Sequence, residues 1–284
     1  MSHDSPRFAK LEGICYFCSR YMDSTNNITQ QPALAIDIEK DRLSYLVFAH
    51  GMKPAMATIN FDNGGSDLKQ ALEAAVYDTP LLLDDYSHTT IALHSQHFVV
   101  MPAELVPKAE TVFKASFSSL EGELMTCKVK NTDAAIACDV PRGVTAFLSR
   151  TFGNPELLHY LAPLIAYCAE AYADDNGCLH ININKEEAHI VATRNGKLQL
   201  ANTYPCRSVD DIIYFALAVF KECRFDSRAD KILLSGDNEL CSQLAEQLRQ
   251  RVAYAMPEVF PAQALALGKE AITFPFNIIT TALY

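Results

Sequence analysis

CLHININKEEAHIVATRNGKLQLANTYPCRSVDDIIYFALAVFKECRFDSRADKILLSGDNELCSQLAEQLRQRV, residues 178–252, is the stretch whose reading decides the fold. It opens with three strand-like runs, Cys178 to Ile183, Glu187 to Thr193 and Lys197 to Thr203, separated by the turn residues NK and RNG. A helix follows. Ser208 is placed to cap it, and Asp210 and Asp211 fall in its first turn, where exposed N–H groups favour negative charge. ADKILLSGD then reads as a strand ending on Gly236, and Leu240, Leu244 and Leu248 line one side of a second helix.

The same order occurs earlier in the chain. Leu34 to Ile38, Leu43 to Phe48 and Ala55 to Phe61 form a meander with turns at EKDR and HGMKP. After NGGS, the run DLKQALEAAVY sets Leu68, Leu72, Ala75 and Val76 at helical spacing, and HTTIALHS and HFVVM are short strands. Aligning Ile36 with Ile181 superposes the two meanders at an offset of about 145 residues, an internal duplication in order of elements rather than in residues. Between the copies EGELMTCKVKN and AAIACDV read as strands. PELLHYLAPLIAYCAEAYA reads as an apolar helix buried between layers. The expected class is α/β, with mixed sheets and helices on both faces, built twice; a single α+β domain is the competing layout. Residues 1–30 end in the polar YMDSTNNITQQP and read as a tail or linker, leaving 31–173 and 174–284 as two lobes.

Charge narrows the function classes. The 284 residues carry 24 Lys+Arg against 34 Asp+Glu, a formal net charge of -10. That balance removes the basic field that gathers nucleic acid or anionic lipid, so neither is an expected partner. No run approaches the roughly 20 apolar residues of a bilayer span, and MSHDSPRFAKLEG lacks the apolar segment of a signal peptide. A soluble, cytoplasmic protein is expected. Nine cysteines without an export signal read mostly as buried thiols. Cys15 and Cys18 form a Cys-x-x-Cys pair, but no second close ligand pair completes a zinc site, and the pair precedes the first strand rather than opening a helix after one.

A strand-strand-strand-helix-strand-helix unit occurring twice resembles the ribonuclease-H-like domain of the actin, sugar kinase and heat-shock ATPase superfamily. LAIDIEKDRLSYLVF (34–48), HFVVMPAELV (97–106) and YPCRSVDDIIYFALAVFKECRFDSRADKILLSGD (204–237) carry a closer resemblance, to an uncharacterised family of small bacterial proteins with that actin-like fold. In the superfamily's ATPases each lobe opens with a hairpin whose Asp-x-Gly turn lets backbone N–H groups meet a phosphate. Here the first hairpin reads Asp37-Ile38-Glu39, with a charged side chain where the resemblance calls for glycine, and continues Lys40-Asp41-Arg42. The second, His180-Ile181-Asn182-Ile183-Asn184, has neither the carboxylate nor the glycine. LLSGDNEL keeps Gly236 where an adenosine would pack but sets Asp237 directly behind it. The resemblance thus implies a nucleotide site with its phosphate loops altered, and Asp37, Asn182 and Gly236 are the residues that would converge on a ligand in the interlobe cleft.

Other chemistry is thinner. Asp37 with Asp139, Asp237 or Glu39 would make the metal pair of a nuclease, a reading that the acidic composition opposes. NGGSD (63–67) offers an anion cradle or a plain loop. His94 with His97, and His180 with His189, are pairs without a third ligand. No Gly-x-Ser-x-Gly elbow is present, and Tyr160, Tyr167 and Tyr172 recur at spacings that packing explains. No catalytic residue, metal ligand or cofactor is assigned. The expected function is a noncatalytic actin-like scaffold or adaptor that binds another protein or itself, with a nucleotide-binding ATPase or switch, or a small-molecule sensor in the same cleft, as alternatives. ITFPFNIITTALY at the carboxy terminus is expected to form a last strand and edge, exposed for a partner or paired within its own domain.

Overall fold

β1 (Ala33–Ile38), β2 (Arg42–Phe48) and β3 (Ala55–Asn60) form the first meander, and β1 is the strand around which its sheet is built. The computed structural model describes residues 31–61, 67–184, 186–259 and 262–284, so Cys15, Cys18, the polar stretch 1–30 and Asn63 to Ser66 lie outside the described residues. Following α1 (Leu68–Tyr77), β4 (Thr89–Leu93) adds parallel to β1. Next come β5 (Phe98–Pro102), α2 (Ala109–Ser116), β6 (Glu123–Lys128), β7 (Ala134–Val140) and α3 (Val144–Thr151), with β5, β6 and β7 in an antiparallel sheet of order β5-β7-β6. β8 (Glu156–His159) then joins β4 in parallel, giving the first sheet the order β3-β2-β1-β4-β8. α4 (Leu161–Ala171) leads to β9 (Cys178–Asn184), β10 (Glu187–Arg194), β11 (Lys197–Pro205), α5 (Val209–Glu222), β12 (Lys231–Ser235), α6 (Asn238–Leu248) and β13 (Tyr254–Pro257). Their sheet has the order β11-β10-β9-β12-β13, the same sequence of antiparallel and parallel additions.

The central strands are buried on both faces, as apolar runs without alternation require. β4 is buried at every position, and β1 at all but its first. On the second sheet, Ile181, Ile190, Ile232 and Leu234 pack with Ile212, Ala216, Val219 and Phe220 of α5 and Leu244 and Leu248 of α6. α5 starts where Ser208 and Asp211 form a reciprocal capping box. α4 is the link between layers: Leu161, Leu164, Ile165 and Cys168 share a cluster with Ile136 of β7 and with Cys178 and Val191 of β9 and β10. Each such aliphatic side chain contributes roughly 1.5–3 kcal/mol by leaving water.

Two expectations are corrected. The apolar helix does not begin at Pro155, because Glu156 to His159 pair with β4 as a strand and the helix starts only at Leu161. Pro163 marks that start, since a residue without an N–H sits comfortably only in a helix's first turn. The carboxy-terminal run is also no strand. After a 3-10 turn at Lys269–Thr273, α8 (Phe276–Leu283) is helical and buried. Its β-branched residues favour extended structure in isolation, but Ile278 and Ile279 bury themselves on Ala35 and Leu46, and the hydroxyls of Thr280 and Thr281 each donate to the Asn277 carbonyl at 2.9 Å. Tertiary burial therefore overrides local preference. α8 lies within 174–284 yet packs on the first sheet and on α4. Short α7 (Ala262–Ala266) precedes it. Among the described residues no helix is long and apolar enough to cross a membrane.

Candidate functional site

The parallel register of β1 and β4 sets Asp37 opposite Ala92 and Ile38 opposite Leu93, and the His94 N–H donates to the Ile38 carbonyl at 2.9 Å. Immediately beyond, the Glu39 N–H closes the first hairpin on the Arg42 carbonyl at 2.9 Å. Three titratable side chains, Asp37, Glu39 and His94, are thereby gathered at the carboxyl ends of two strands, the end of an open α/β sheet where ligands bind.

Asp37 is buried. Its Oδ2 accepts from the Asn277 amide of α8, while its Oδ1 lies 3.2 Å from His94 Nε2. That contact is an ion pair outside hydrogen-bond geometry, so both atoms are buried without a hydrogen-bond partner. An unmet buried acceptor costs about 1–3 kcal/mol. The His94 ring stacks on Tyr160 with centroids 3.9 Å apart, and His189 meets it edge-on at 6.0 Å. Glu39 is tied to both five-stranded sheets: its Oε1 accepts from Arg42 Nε at 2.8 Å, from Arg42 Nη2 and from Asn184 Nδ2 at 3.3 Å, and Arg42 Nη2 also donates to Asn184 Oδ1 at 3.2 Å. Two further bonds span the same gap. Gln96 donates to Glu187 at 3.1 Å, and the hydroxyls of Tyr160 and Thr203 bond to each other.

Charge states follow from these contacts. Burial opposes a proton on His94, but the nearby charges of Asp37, Glu39 and Glu187 outweigh it and raise its pKa above the usual histidine value. For Glu39, burial pushes upward, and the Arg42 guanidinium with His94 and Asn184 overcomes it and holds the carboxyl low. Burial alone accounts for most of the rest: His159 is driven down to about 3 and His189 well below its ordinary range.

Above these residues opens a cleft of about 1150 Å³ lined by both halves of the chain. Glu39, Asp41, Glu121, Asp139, Glu186 and Glu187 give it six carboxylates, against Lys40 as the lysine among the described lining residues. Such a lining repels a polyphosphate and attracts cations.

Of the residues nominated from sequence, Asn182 and Gly236 come together and Asp37 stands with a different set. Ser235 pairs with Asn182 across β12 and β9, and its hydroxyl donates to Asn182 Oδ1 at 3.1 Å. Gly236, at φ +127°, sits where a Cβ would lie 2.5 Å from the Ile183 carbonyl oxygen, so packing of the loop on β9 demands glycine. The residues lining the cleft include Glu39 and Asn184 rather than Asp37, Asn182 or Gly236. Asp237 caps α6, accepting from the Leu240 N–H at 2.9 Å, and Asp139 accepts from the Glu121 and Gly122 N–H groups at 2.8 Å each. Of the three carboxylates offered for a nuclease pair with Asp37, Asp139 and Asp237 are thus engaged in local backbone bonds, and Glu39 is the one that lies with Asp37.

The histidine pairs also resolve differently from their spacing. His97 meets Phe117, and His180 is surrounded by Tyr167, Tyr172 and Phe276, whereas His189 faces His94 and Tyr160. The partners of His94 are Asp37 and Glu39, about 55 residues away in sequence. The available signal was topological: a parallel partner for β1 brings the residue ending that partner beside the residues ending β1. Cysteines 127, 138, 168, 178, 206 and 241 are buried, and burial pushes the Cys127 and Cys241 thiols up to about 11, which makes them packing groups rather than nucleophiles.

A three-strand meander extended by two parallel strands, laid down in the same order in both sheets, defines a protein of the actin-like ATPase fold. A Bacteroides thetaiotaomicron protein described as having an actin-like ATPase fold and unknown function superposes with a TM-score of 0.71 at 19% identity, covering 89% of this chain and 96% of its own. A PilM-PilN type IV pilus biogenesis complex contains a chain that matches with a TM-score of 0.54 at 16% identity, covering 88% and 97%. Among curated proteins the sequence finds no match. Residues 23–253 match a family described as protein of unknown function (DUF3822), and the chain belongs to that family.

Proposed function

We propose that this protein is a noncatalytic actin-like adaptor, cytoplasmic, that binds another protein and makes no use of nucleic acid. In this reading 31–173 and 174–284 are two copies of one unit, with α8 crossing back to the first. One observation carries the proposal: Glu39, at the turn where the fold's ATPases need an open glycine, lines the cleft and is clamped there by Arg42 and Asn184. A phosphate entering would displace that clamp and meet a carboxylate, in a cleft already lined by five more. Protein binding is the use of the fold that remains. The similarity to a chain found in a PilM-PilN complex supports it by analogy of fold.

The size of the cleft favours a second reading, a nucleotide-binding switch in which Asp37, Asn182 and Gly236 approach a ligand, because about 1150 Å³ exceeds what a nucleotide-sized molecule needs. Calorimetry of the full chain with ATP and Mg²⁺ separates the two. The adaptor reading expects no saturable heat up to millimolar ATP, together with a stoichiometric protein partner on affinity purification from its source cells. Micromolar nucleotide affinity overturns it.

A further inference from the structure

We propose that Asp37, Glu39 and His94 form a divalent-cation site at the floor of the cleft, filled directly by protein ligands and without nucleotide. The inference is independent of whether the cleft binds a protein or a nucleotide. It begins with two unmet atoms. Asp37 is 2% exposed and its Oδ1 has no hydrogen-bond partner; His94 Nε2, facing it at 3.2 Å, has none either. Adjacent ligands on one ion, each bound at about 2.1 Å, stand about 3 Å apart, and opposite ligands about 4–5 Å apart. The Asp37–His94 separation matches the first distance. All three ligand atoms lie within 4.8 Å of one another, which covers the second.

The surroundings hold these groups in place. Asn277 fixes the other oxygen of Asp37, Arg42 and Asn184 orient the Glu39 carboxylate, and Tyr160 stacks on the His94 ring. Outer contacts of this kind set the direction of metal ligands. With Arg42 balancing Glu39, and the His94 imidazole giving up its proton to solvent as the ion takes its place, Asp37 leaves one negative charge for a cation to meet, beneath an acidic cleft that concentrates cations. Two carboxylates and one imidazole suit Mn²⁺, Fe²⁺ or Zn²⁺ better than Ca²⁺. His189, edge-on to His94 with centroids 6.0 Å apart, neighbours the set without belonging to it.

Mn²⁺ is the probe of choice, because nine cysteines in the chain would compete for a softer metal. The full chain, stripped with chelator and kept reduced, is titrated with Mn²⁺ and followed by electron paramagnetic resonance without nucleotide. The expected result is one Mn²⁺ per chain with a nitrogen coupling in the electron-spin-echo modulation, the mark of an imidazole ligand. Asp37→Asn should weaken binding at least about tenfold, and His94→Gln should remove the nitrogen signal. If either variant fails to fold, Glu39→Gln reads the same site while keeping an acceptor for Arg42. Absence of stoichiometric binding overturns the proposal, as does an Mn²⁺ without nitrogen coupling in the unaltered protein. A nitrogen signal that survives His94→Gln overturns it equally, by placing the ion on another histidine.

Discussion

Gly236→Ala tests whether a residue that resemblance assigns to a ligand is in fact required by the fold. At φ +127° an L side chain is strained, a cost of about 1–3 kcal/mol. The new Cβ would also lie 2.5 Å from the Ile183 carbonyl oxygen, 3.2 Å from its Cβ and 3.3 Å from its carbonyl carbon. These atoms belong to β9, whose neighbours β10 and β12 hold it on both sides, so the backbone has little room to yield. Overpacking of this kind adds about 1–3 kcal/mol. Together they give a loss of about 2–6 kcal/mol. With a urea slope of about 3 kcal/mol/M, the unfolding midpoint falls by roughly 1–2 M.

Gly51→Ala supplies the control, because Gly51 also has positive φ (+77°) but nothing within 4 Å of the added Cβ. It should cost only about 1–2 kcal/mol, the strain without the clash. Urea unfolding of both variants, monitored by circular dichroism with no ligand present, measures the difference. Equal midpoints for Gly236→Ala and Gly51→Ala would refute the packing argument and return Gly236 to the ligand reading.

Acid should destabilise the protein through its buried histidines. Burial pushes both His159 and His180 down to about 3, while the unfolded chain takes up these protons below about 6.5, so stability is complete above pH 6.5 and falls as pH drops toward 3. The slope approaches roughly 1.4 kcal/mol per group per pH unit only below the unfolded pKa, so the two cost about 2 kcal/mol between pH 6.5 and 5.5; a urea midpoint unchanged across that interval contradicts their neutral burial. His94, with its pKa raised, stays protonated in that window and adds little slope. Asp139→Ala strips the acceptors from the Glu121 and Gly122 N–H groups and should cost about 3 kcal/mol, measured in the same unfolding assay, with Asp139→Asn recovering part of it.

Most of the architecture is legible in the chain because its strands and helices differ in period and its turns are marked by polar residues. The Ser208 cap and the acidic first turn at Asp210 and Asp211 are local and readable directly, and the structure adds that Asp211 closes a reciprocal box with Ser208. What sequence could not supply were decisions made across the molecule. ELLH becomes a strand because β4 has an open edge to fill, and FNIITTAL becomes a helix because the face of the first sheet at Ala35 and Leu46 needs cover. The site shows the same division. Glu39 in place of the glycine that the resemblance calls for could be recognised one residue at a time, but His94 joins it only through the β1–β4 register, and Asn184 only through the approach of the second hairpin.

Asp37 shows why a retained motif residue is a weak guide to chemistry. Its position at the end of β1 matches the aspartate of the fold's phosphate hairpin, yet one of its oxygens anchors Asn277 and through it α8, the helix that covers the first sheet. Removing that carboxylate would loosen a buried helix whether or not any ligand binds, so the fold alone is reason enough to keep an acid there. The other oxygen faces His94. In the adaptor reading Glu39 with its Arg42–Asn184 clamp disfavours phosphate, and in the proposed cation site His94 beside an unmet oxygen favours a cation, so both proposals turn on Asp37's neighbours rather than on Asp37 itself. A negative potential that repels phosphate is the same potential that attracts a cation, so one acidic cleft serves both.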